Sequence, residues 1–381
     1  MFMRKKYTVT FRLFTLFIAC LFFFSGWAEN IQFIYVSDTH YGLFREFRGE
    51  EKVSSIEVNR AMIDKMNLLP FLTLPQDDGV NQGKQVGGID MIINTGDIAS
   101  RAEEGIQCSA DSWKDFATDW IDGRLNVRNA KGKPAPLYLL PGNHEVSNAI
   151  GHHKQDGNDP TAQVEIYNRM MKPQVPRINT TYNHETDKVN YSFTLSGVHF
   201  VFVGMWPDLQ GRAWITDDLK KNSKASIPTL LFTHDQPDVE AKHFINPNGS
   251  HDVNAKDRFE NLLSDTCSVL SSKDIPLKER RELARFLKQS PSIKAYFHGN
   301  ENYNQYYVWN GPDNDIAIPV IRVESAMKGV YSSDDESLLS FQLVTIDTDT
   351  KQMTVRECLW NVANSLEPIV WGENKTFTLA P

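Results

Sequence analysis

Leu137-Tyr138-Leu139-Leu140-Pro141-Gly142-Asn143-His144-Glu145-Val146 is an apolar run of strand length that stops at Pro-Gly and then presents an amide, an imidazole and a carboxylate. A buried strand ending in a glycine turn holds such groups rigidly. Taken alone, the stretch is equally an ordinary turn between a core strand and a surface loop. Four other stretches decide between the two. Ile31–Ser37 ends in Asp38-Thr39-His40, and Ile89–Asn94 ends in Thr95-Gly96-Asp97. Pro228–Thr233 ends in His234-Asp235, and Ile293–Phe297 ends in His298-Gly299-Asn300-Glu301-Asn302. Asp, His and Asn supply the carboxylate, imidazole and carbonyl donors that hard or borderline divalent metals take. Strand C-termini are also where α/β folds place their sites. Each edge alone is weak; five in series point to a metal centre.

Working outward, Ile56, Ile63 and Met66 share a helical face that Pro70 ends, and residues 76–88 are a glycine-rich loop. Trp113, Phe116, Ala117, Trp120 and Ile121 recur at helical spacing, so those aromatics are core. Residues 147–160 read as a polar loop carrying His152 and His153, followed by a helix through about Met171. Residues 190–202 alternate and turn at Ser196-Gly197, a hairpin in which His199 is structural. Trp214–Lys221 is a short helix, and Pro276 opens another to Lys288. Ile316–Val323, Leu339–Ile346 and Met353–Leu359 read as antiparallel strands. Strand–helix alternation followed by hairpins predicts one α/β core closed by extra strands.

Composition sets bounds. Of 381 residues, 41% are hydrophobic and 23% charged, which suits a folded core. The net charge of −8, with no Lys/Arg run after residue 6, argues against a stable nucleic-acid complex. Arg4, Lys5 and Lys6 precede the apolar Leu13–Phe24, and Ser25-Gly26-Trp27-Ala28 offers a small-residue exit. That layout predicts a signal peptide over residues 1–28, a mature chain from Glu29, export to a secreted, periplasmic or lumenal space, and no membrane association after cleavage. Cys108, Cys267 and Cys358 are too few for a disulfide scaffold. Asn179, Asn190, Asn248 and Asn374 are sequons suited to surface loops.

The order of the five edges resembles the calcineurin-like metallophosphoesterase superfamily from Phe33 to about Tyr303, and plausibly on into the C-terminal strands. The resemblance implies a four-layer α/β/β/α sandwich of two facing mixed β-sheets with outer helices. It implies a single domain over 29–381, with insertions near 41–88, 147–190 and 235–275, where substrate choice would reside. Carried over residue by residue, Asp38 and His40 would bind a first divalent metal, Asp97 would bridge, and Asn143 and His234 would bind a second. A metal-bridging hydroxide would attack a phosphate mono- or diester, with Asp38 and His144 as the catalytic pair and His144 protonating the leaving group. The substrate would be a small phosphorylated molecule such as a nucleotide, a phospholipid headgroup or a sugar phosphate. Where purple acid phosphatases carry a metal-bound tyrosine this chain has Ser100, and Arg101 reads as solvated. Glu145 either orients His144 and its loop or faces solvent. His152, His153, His243 and His251 read as surface residues.

The family ends its series with Gly-His-x-His; here Gly299-Asn300-Glu301-Asn302 stands instead. Asn300 would serve the second metal and Asn302 the first through carbonyl oxygens. These neutral, harder donors favour manganese first, with iron, zinc, magnesium or calcium as the other candidates, and leave occupancy of the second site open. His298 either substitutes as a ligand or points into the core, the preferred reading. The break leaves an alternative to the enzyme: a metal- or phosphate-binding relative with weakened or lost catalysis.

Overall fold

The computed structural model describes residues 30–101, 103, 105–151, 158–222, 227–246, 259–267, 277–362 and 369–380. The expected signal peptide, His152, His153, Asn248, His251 and Pro276 lie outside the described residues.

In chain order the elements are β1 (Asn30–Val36), β2 (Phe44–Phe47), β3 (Glu50–Ser54), α1 (Ser55–Met66), β4 (Met91–Asn94), α2 (Ser109–Trp120), β5 (Leu137–Leu139), α3 (Asn143–Ile150) and α4 (Thr161–Met171). Then follow β6 (Asn190–Leu195), β7 (Val198–Val203), α5 (Leu209–Asn222), β8 (Thr229–Phe232), α6 (Leu277–Gln289), β9 (Ile293–His298), β10 (Gln305–Trp309), β11 (Ile318–Arg322), β12 (Ser340–Asp347), β13 (Gln352–Leu359) and β14 (Val370–Thr378). One six-stranded sheet runs β14-β13-β12-β1-β4-β5 and a second runs β10-β11-β9-β8-β7-β6. Both are mixed: β1, β4 and β5 are parallel, as are β7, β8, β9 and β11, with antiparallel strands outside them.

The sheets face each other through aromatic side chains. The Phe33 ring lies 5.9, 6.0 and 6.1 Å from Phe200, Phe232 and Phe297, so β1 of one sheet meets β7, β8 and β9 of the other. Alternation explains why β7 and β8 are apolar throughout. Phe200, Phe202, Leu230 and Phe232 join the core between the sheets. Val201, Val203 and Leu231 face a second core with Ile215 of α5 and Leu283 and Leu287 of α6. Val58, Met62 and Phe116 carry α1 and α2 onto the outer side of the first sheet. The result is the expected arrangement of helices, sheet, sheet and helices.

Several local expectations need correction. The loop expected over 147–160 begins as helix: α3 runs to Ile150, and Asn143, His144 and Glu145 form its first turn. β11 is antiparallel only to β10; its other neighbour is the parallel β9, and it lies in the second sheet, away from β12 and β13. The β2–β3 hairpin was hidden because its turn, Arg48-Gly49, supplies positive φ at both residues (56° and 80°) without the usual Asn-Gly signal. β14, reading Val-Trp-Gly-Glu-Asn-Lys-Thr-Phe-Thr, is a mostly exposed edge strand whose middle, Gly372 to Lys375, is made of poor β-formers. Asn179 and Asn374 are exposed, but Asn190 is half-buried at the start of β6 and Asn374 lies in β14, so neither of those two is in a loop. The described cysteines form no disulfide with one another.

Candidate metal centre

Because β1, β4 and β5 are parallel, as are β8 and β9, all five expected edges emerge at strand C-termini. They are then bound to one another by backbone. The Asp38 N–H donates to Gly96 O at 2.8 Å, His40 N–H to Asp97 O at 2.9 Å, and Gly299 N–H to His234 O at 3.0 Å. Asp38, His40, Asp97, Asn300 and Asn302 all have positive φ (56°, 43°, 52°, 64° and 59°), so the chain reverses sharply at each donor. Such backbone is costly for most residues and least so for Asn, Asp and His; its clustering at one place marks a functional site. Glycine is required where the edges touch. A Cβ on Gly142 would collide with Asp97 Oδ1 and lie 2.7 Å from His234 Cε1, and one on Gly299 would collide with Ser37 and Asp38.

The side chains converge. Two groups could each hold a cation, their ligand atoms within 4.8 Å of one another: Asp38, Asp97 and His234, and His40, Asp97 and His144. Asp97 is common to both, but the groups differ from the expected pairs: Asp38 falls with His234 rather than with His40, and His144, expected to face substrate and not a metal, falls with His40. His234 Nδ1 donates to Thr95 O at 3.0 Å, so Nε2, 3.4 Å from Asp97 Oδ1, is the nitrogen that would face a metal. The Asn143 amide lies against His234 Nε2 at 2.9 Å; with its amino group turned that way it also meets Asp97 Oδ2 at 3.3 Å and Asn300 Oδ1 at 3.2 Å. Acceptors that converge on one point form the environment of a cation. Asp38 Oδ1, both His40 ring nitrogens and Asn302 Oδ1 are buried without a hydrogen-bond partner among the described residues. Such orphaned donors to a metal are what the expected ligand set predicts, and the residues present fit divalent cations.

The fit is uneven. Asn300 enters through its N–H to Asp38 Oδ2 at 3.0 Å, while its Nδ2 is spent on Gln236 and Glu240 at 3.0 and 3.4 Å. Asn302 meets the cluster through Asn300 O, to which its Nδ2 donates at 2.9 Å. His298 points into the core, its Nε2 3.1 Å from the Tyr307 hydroxyl.

Burial sets the charges. Burial, and then the neighbouring Asp97, raise Asp38 to about 6, although His234 pulls the other way. Burial opposes a charge on His234, yet Asp97, Asp38 and Asp235 outweigh it and raise the imidazole to about 9. Burial, reinforced by Lys328, holds His40 and His144 well below the usual histidine value.

Glu145 is not a solvent-facing carboxylate. It is buried, and accepts N–H groups from Asp97 at 2.9 Å, Ala99 at 2.8 Å and Gly142 at 2.7 Å, bracketing two strand edges. Burial and the charge of Asp97 raise it to about 7. Asp97 Oδ1 in turn accepts the His144 N–H at 2.9 Å, capping α3 from a different strand. His144 Nδ1 accepts the Arg101 N–H at 2.7 Å.

Arg101 is not solvated either. Its side chain is 12% exposed, reaches Glu260 at 3.0 Å, and approaches the Asn143 side-chain oxygen at 2.7 Å once that amide is turned. His243 is fully buried on Asp235 at 2.7 Å, because the described parts of the insertion after β8 pack into the second core. His199 is structural as expected, bonded to Thr194 and Asp218. Lys328 was missed altogether: its Nζ lies 3.1 Å from His144 Nε2. Only the Ser325-to-Lys328 spacing, suited to a hydroxyl-capped turn, hinted at it.

The family model for calcineurin-like phosphoesterases matches residues 31–301, well over half of the chain, and the chain belongs to that family. It is similar in structure to a purple acid phosphatase from yellow lupin (Lupinus luteus) seeds, at TM-score 0.48 and 11% identity over 93% of this chain and 54% of that one. A putative 5'-nucleotidase from Staphylococcus aureus gives TM-score 0.35 and 12% identity over 93% of this chain and 55% of that one. Vps29 from Chaetomium thermophilum gives 0.31 and 10% over 92% and 96%. This chain thus spans about half the length of the first two. No curated protein matches it. Among the described residues, no helix is long and apolar enough to cross a membrane.

Proposed function

We propose that this protein is an exported, metal-dependent phosphoesterase that hydrolyses a small phosphate ester. The observation that carries the reading is the convergence of Asp38, His40, Asp97, Asn143, His144 and His234 on two adjacent donor groups that share Asp97. Asp38, His40, Asp97 and Asn302 would hold one divalent ion, and Asp97, Asn143, His234 and Asn300 the other, manganese being the best match to the amide oxygens. When bound, such a pair neutralises phosphate oxygens and makes water acidic at neutral pH. The protein's own part is positional. Asp97 and Glu145 lock β4 to the first turn of α3, and that turn aims His144 at the substrate. Since Nδ1 is taken by the Arg101 N–H, the neutral ring carries its hydrogen on Nε2 and offers it to a substrate oxygen. An arriving phosphate brings the negative charge that lets Nδ1 take a second proton from solvent, at the expense of the Arg101 bond. The charged ring can then pass a proton to the leaving oxygen.

The test is turnover of p-nitrophenyl phosphate and its bis-ester by manganese-loaded protein beside His144→Ala, with metal content measured for both. Activity lost in the variant at unchanged metal content supports the reading. Two bound metals without turnover above the variant, across a broad ester panel, overturn it. The alternative, a catalytically weakened binding relative, rests on Asn300 and Asn302 standing where the family has two histidines. Export is supported by the residue 1–28 pattern, and the N-terminal mass of secreted protein tests it.

A further inference from the structure

The segment that follows β11 carries no metal-ligand motif, yet it is fastened to the site. Ser325 Oγ donates to Asp38 O at 2.8 Å and accepts the N–H groups of Met327 and Lys328 at 3.3 and 2.9 Å. The Val330 N–H donates to Asn302 O at 2.8 Å. Arg45 clamps the same segment from outside, through Ala326 O at 2.8 Å and Ser332 O at 2.6 Å. Two expected metal-site residues, Asp38 and Asn302, therefore set where Lys328 stands.

Lys328 is an exposed residue whose Nζ reaches back to 3.1 Å from His144 Nε2. That approach cannot be an ordinary hydrogen bond. The Arg101 backbone N–H occupies His144 Nδ1, so Nε2 of the neutral ring is a donor, and an ammonium is donor only. Two donors that face each other call for an acceptor shared between them. Asp97 Oδ2 stands 3.6 Å from His144 Nε2, beyond a hydrogen bond, and belongs to the shared donor group. An anionic oxygen entering from solvent would receive both N–H groups and relieve the pair.

We propose that Lys328 and His144 together bind one non-bridging oxygen of the substrate phosphate, and that Lys328 makes the site selective for phosphate monoesters over diesters. The inference rests on the phosphoesterase reading and names its substrate class. A monoester places a charged oxygen against the ammonium and carries a second negative charge for it to attract. In a diester one of those oxygens bears a second organic group and no charge.

The experiment compares full-length manganese-loaded wild type with Lys328→Met and Lys328→Arg. It reads kcat/KM on p-nitrophenyl phosphate and on bis(p-nitrophenyl) phosphate, the dissociation constant for inorganic phosphate, and metal content. Lys328→Met should lower monoester kcat/KM and phosphate affinity by about 10- to 100-fold, the size of a lost charged hydrogen bond, while diester kcat/KM stays within about threefold. Lys328→Arg should recover most of the loss. Equal losses on both esters, or no loss on either, overturn the assignment, as does wild type that binds no phosphate. If wild type turns over neither ester, phosphate binding decides. Weakening in Lys328→Met keeps Lys328 as the phosphate ligand while the hydrolase reading fails. Unchanged binding overturns the Lys328 assignment, whatever the turnover.

Discussion

Replacing Glu145 tests whether the site is held together by the bracket described above. Its carboxylate receives three buried backbone N–H groups, from Asp97, Ala99 and Gly142. Each buried N–H left without an acceptor costs about 1–3 kcal/mol, so Glu145→Ala, which orphans three, should destabilise the protein by about 3–9 kcal/mol. That is a large share of the roughly 5–15 kcal/mol that holds a typical domain together. Glu145→Gln is the more informative variant. Its amide oxygen can still receive the Asp97 and Gly142 groups that now share Oε2, but its NH2 must face the Ala99 N–H, one bad contact costing about 1–3 kcal/mol. Urea unfolding of metal-free protein gives the two costs, and manganese titration gives the consequence at Asp97, whose backbone position the bracket sets. The order should be wild type, Gln, Ala in both stability and metal affinity. A Glu145→Ala protein within about 1 kcal/mol of wild type would show that water or relaxation satisfies those groups, and the argument for a bracket would fail.

Two other outcomes follow from the same geometry. Asn302→His should raise zinc affinity at the first site about tenfold or more, read by chelator competition, because it replaces an amide oxygen with imidazole; unchanged affinity would place Asn302 outside that site. Metal-free protein should lose stability as pH rises from about 4 to 9. Asp38 at about 6 and Glu145 at about 7 are raised, so the folded state keeps protons that the unfolded chain releases above its ordinary carboxylate values. His234 at about 9 contributes stability present below about 6.5 and lost as pH climbs through 9. Each group contributes at most about 3 kcal/mol, and manganese should flatten the part of the slope due to Asp38 and His234 by taking the protons' place; a metal-free urea midpoint that climbs over this range would refute the charge assignment.

The strands that carry the site were legible because a strand buried on both faces must be apolar throughout, and each such run ended abruptly in polar residues. Legibility stopped where a residue's surroundings come from elsewhere in the chain. The first turn of α3 looked like loop because its cap is Asp97, more than forty residues earlier, and its own Gly142 and Asn143 are poor helix formers. Glu145 could not be distinguished from a solvent-facing carboxylate because two of its three donors, Asp97 and Ala99, lie beyond another strand. Arg101 read as solvated because Glu260, its buried partner, lies in a long insertion. Lys328 was invisible for a similar reason: Ser325 and Arg45 position it, and only the fold brings those two together.

The left-handed backbone at Asn300 and Asn302 bears on how this protein could have changed over time. Asparagine is among the side chains that most readily adopt that conformation, so exchanging histidine for it at either place leaves the turn intact. A histidine codon becomes an asparagine codon by one base change. Drift between a strongly and a weakly metal-binding form is therefore not opposed by selection for folding, and the donor set can evolve as a variable carried on an unchanging frame.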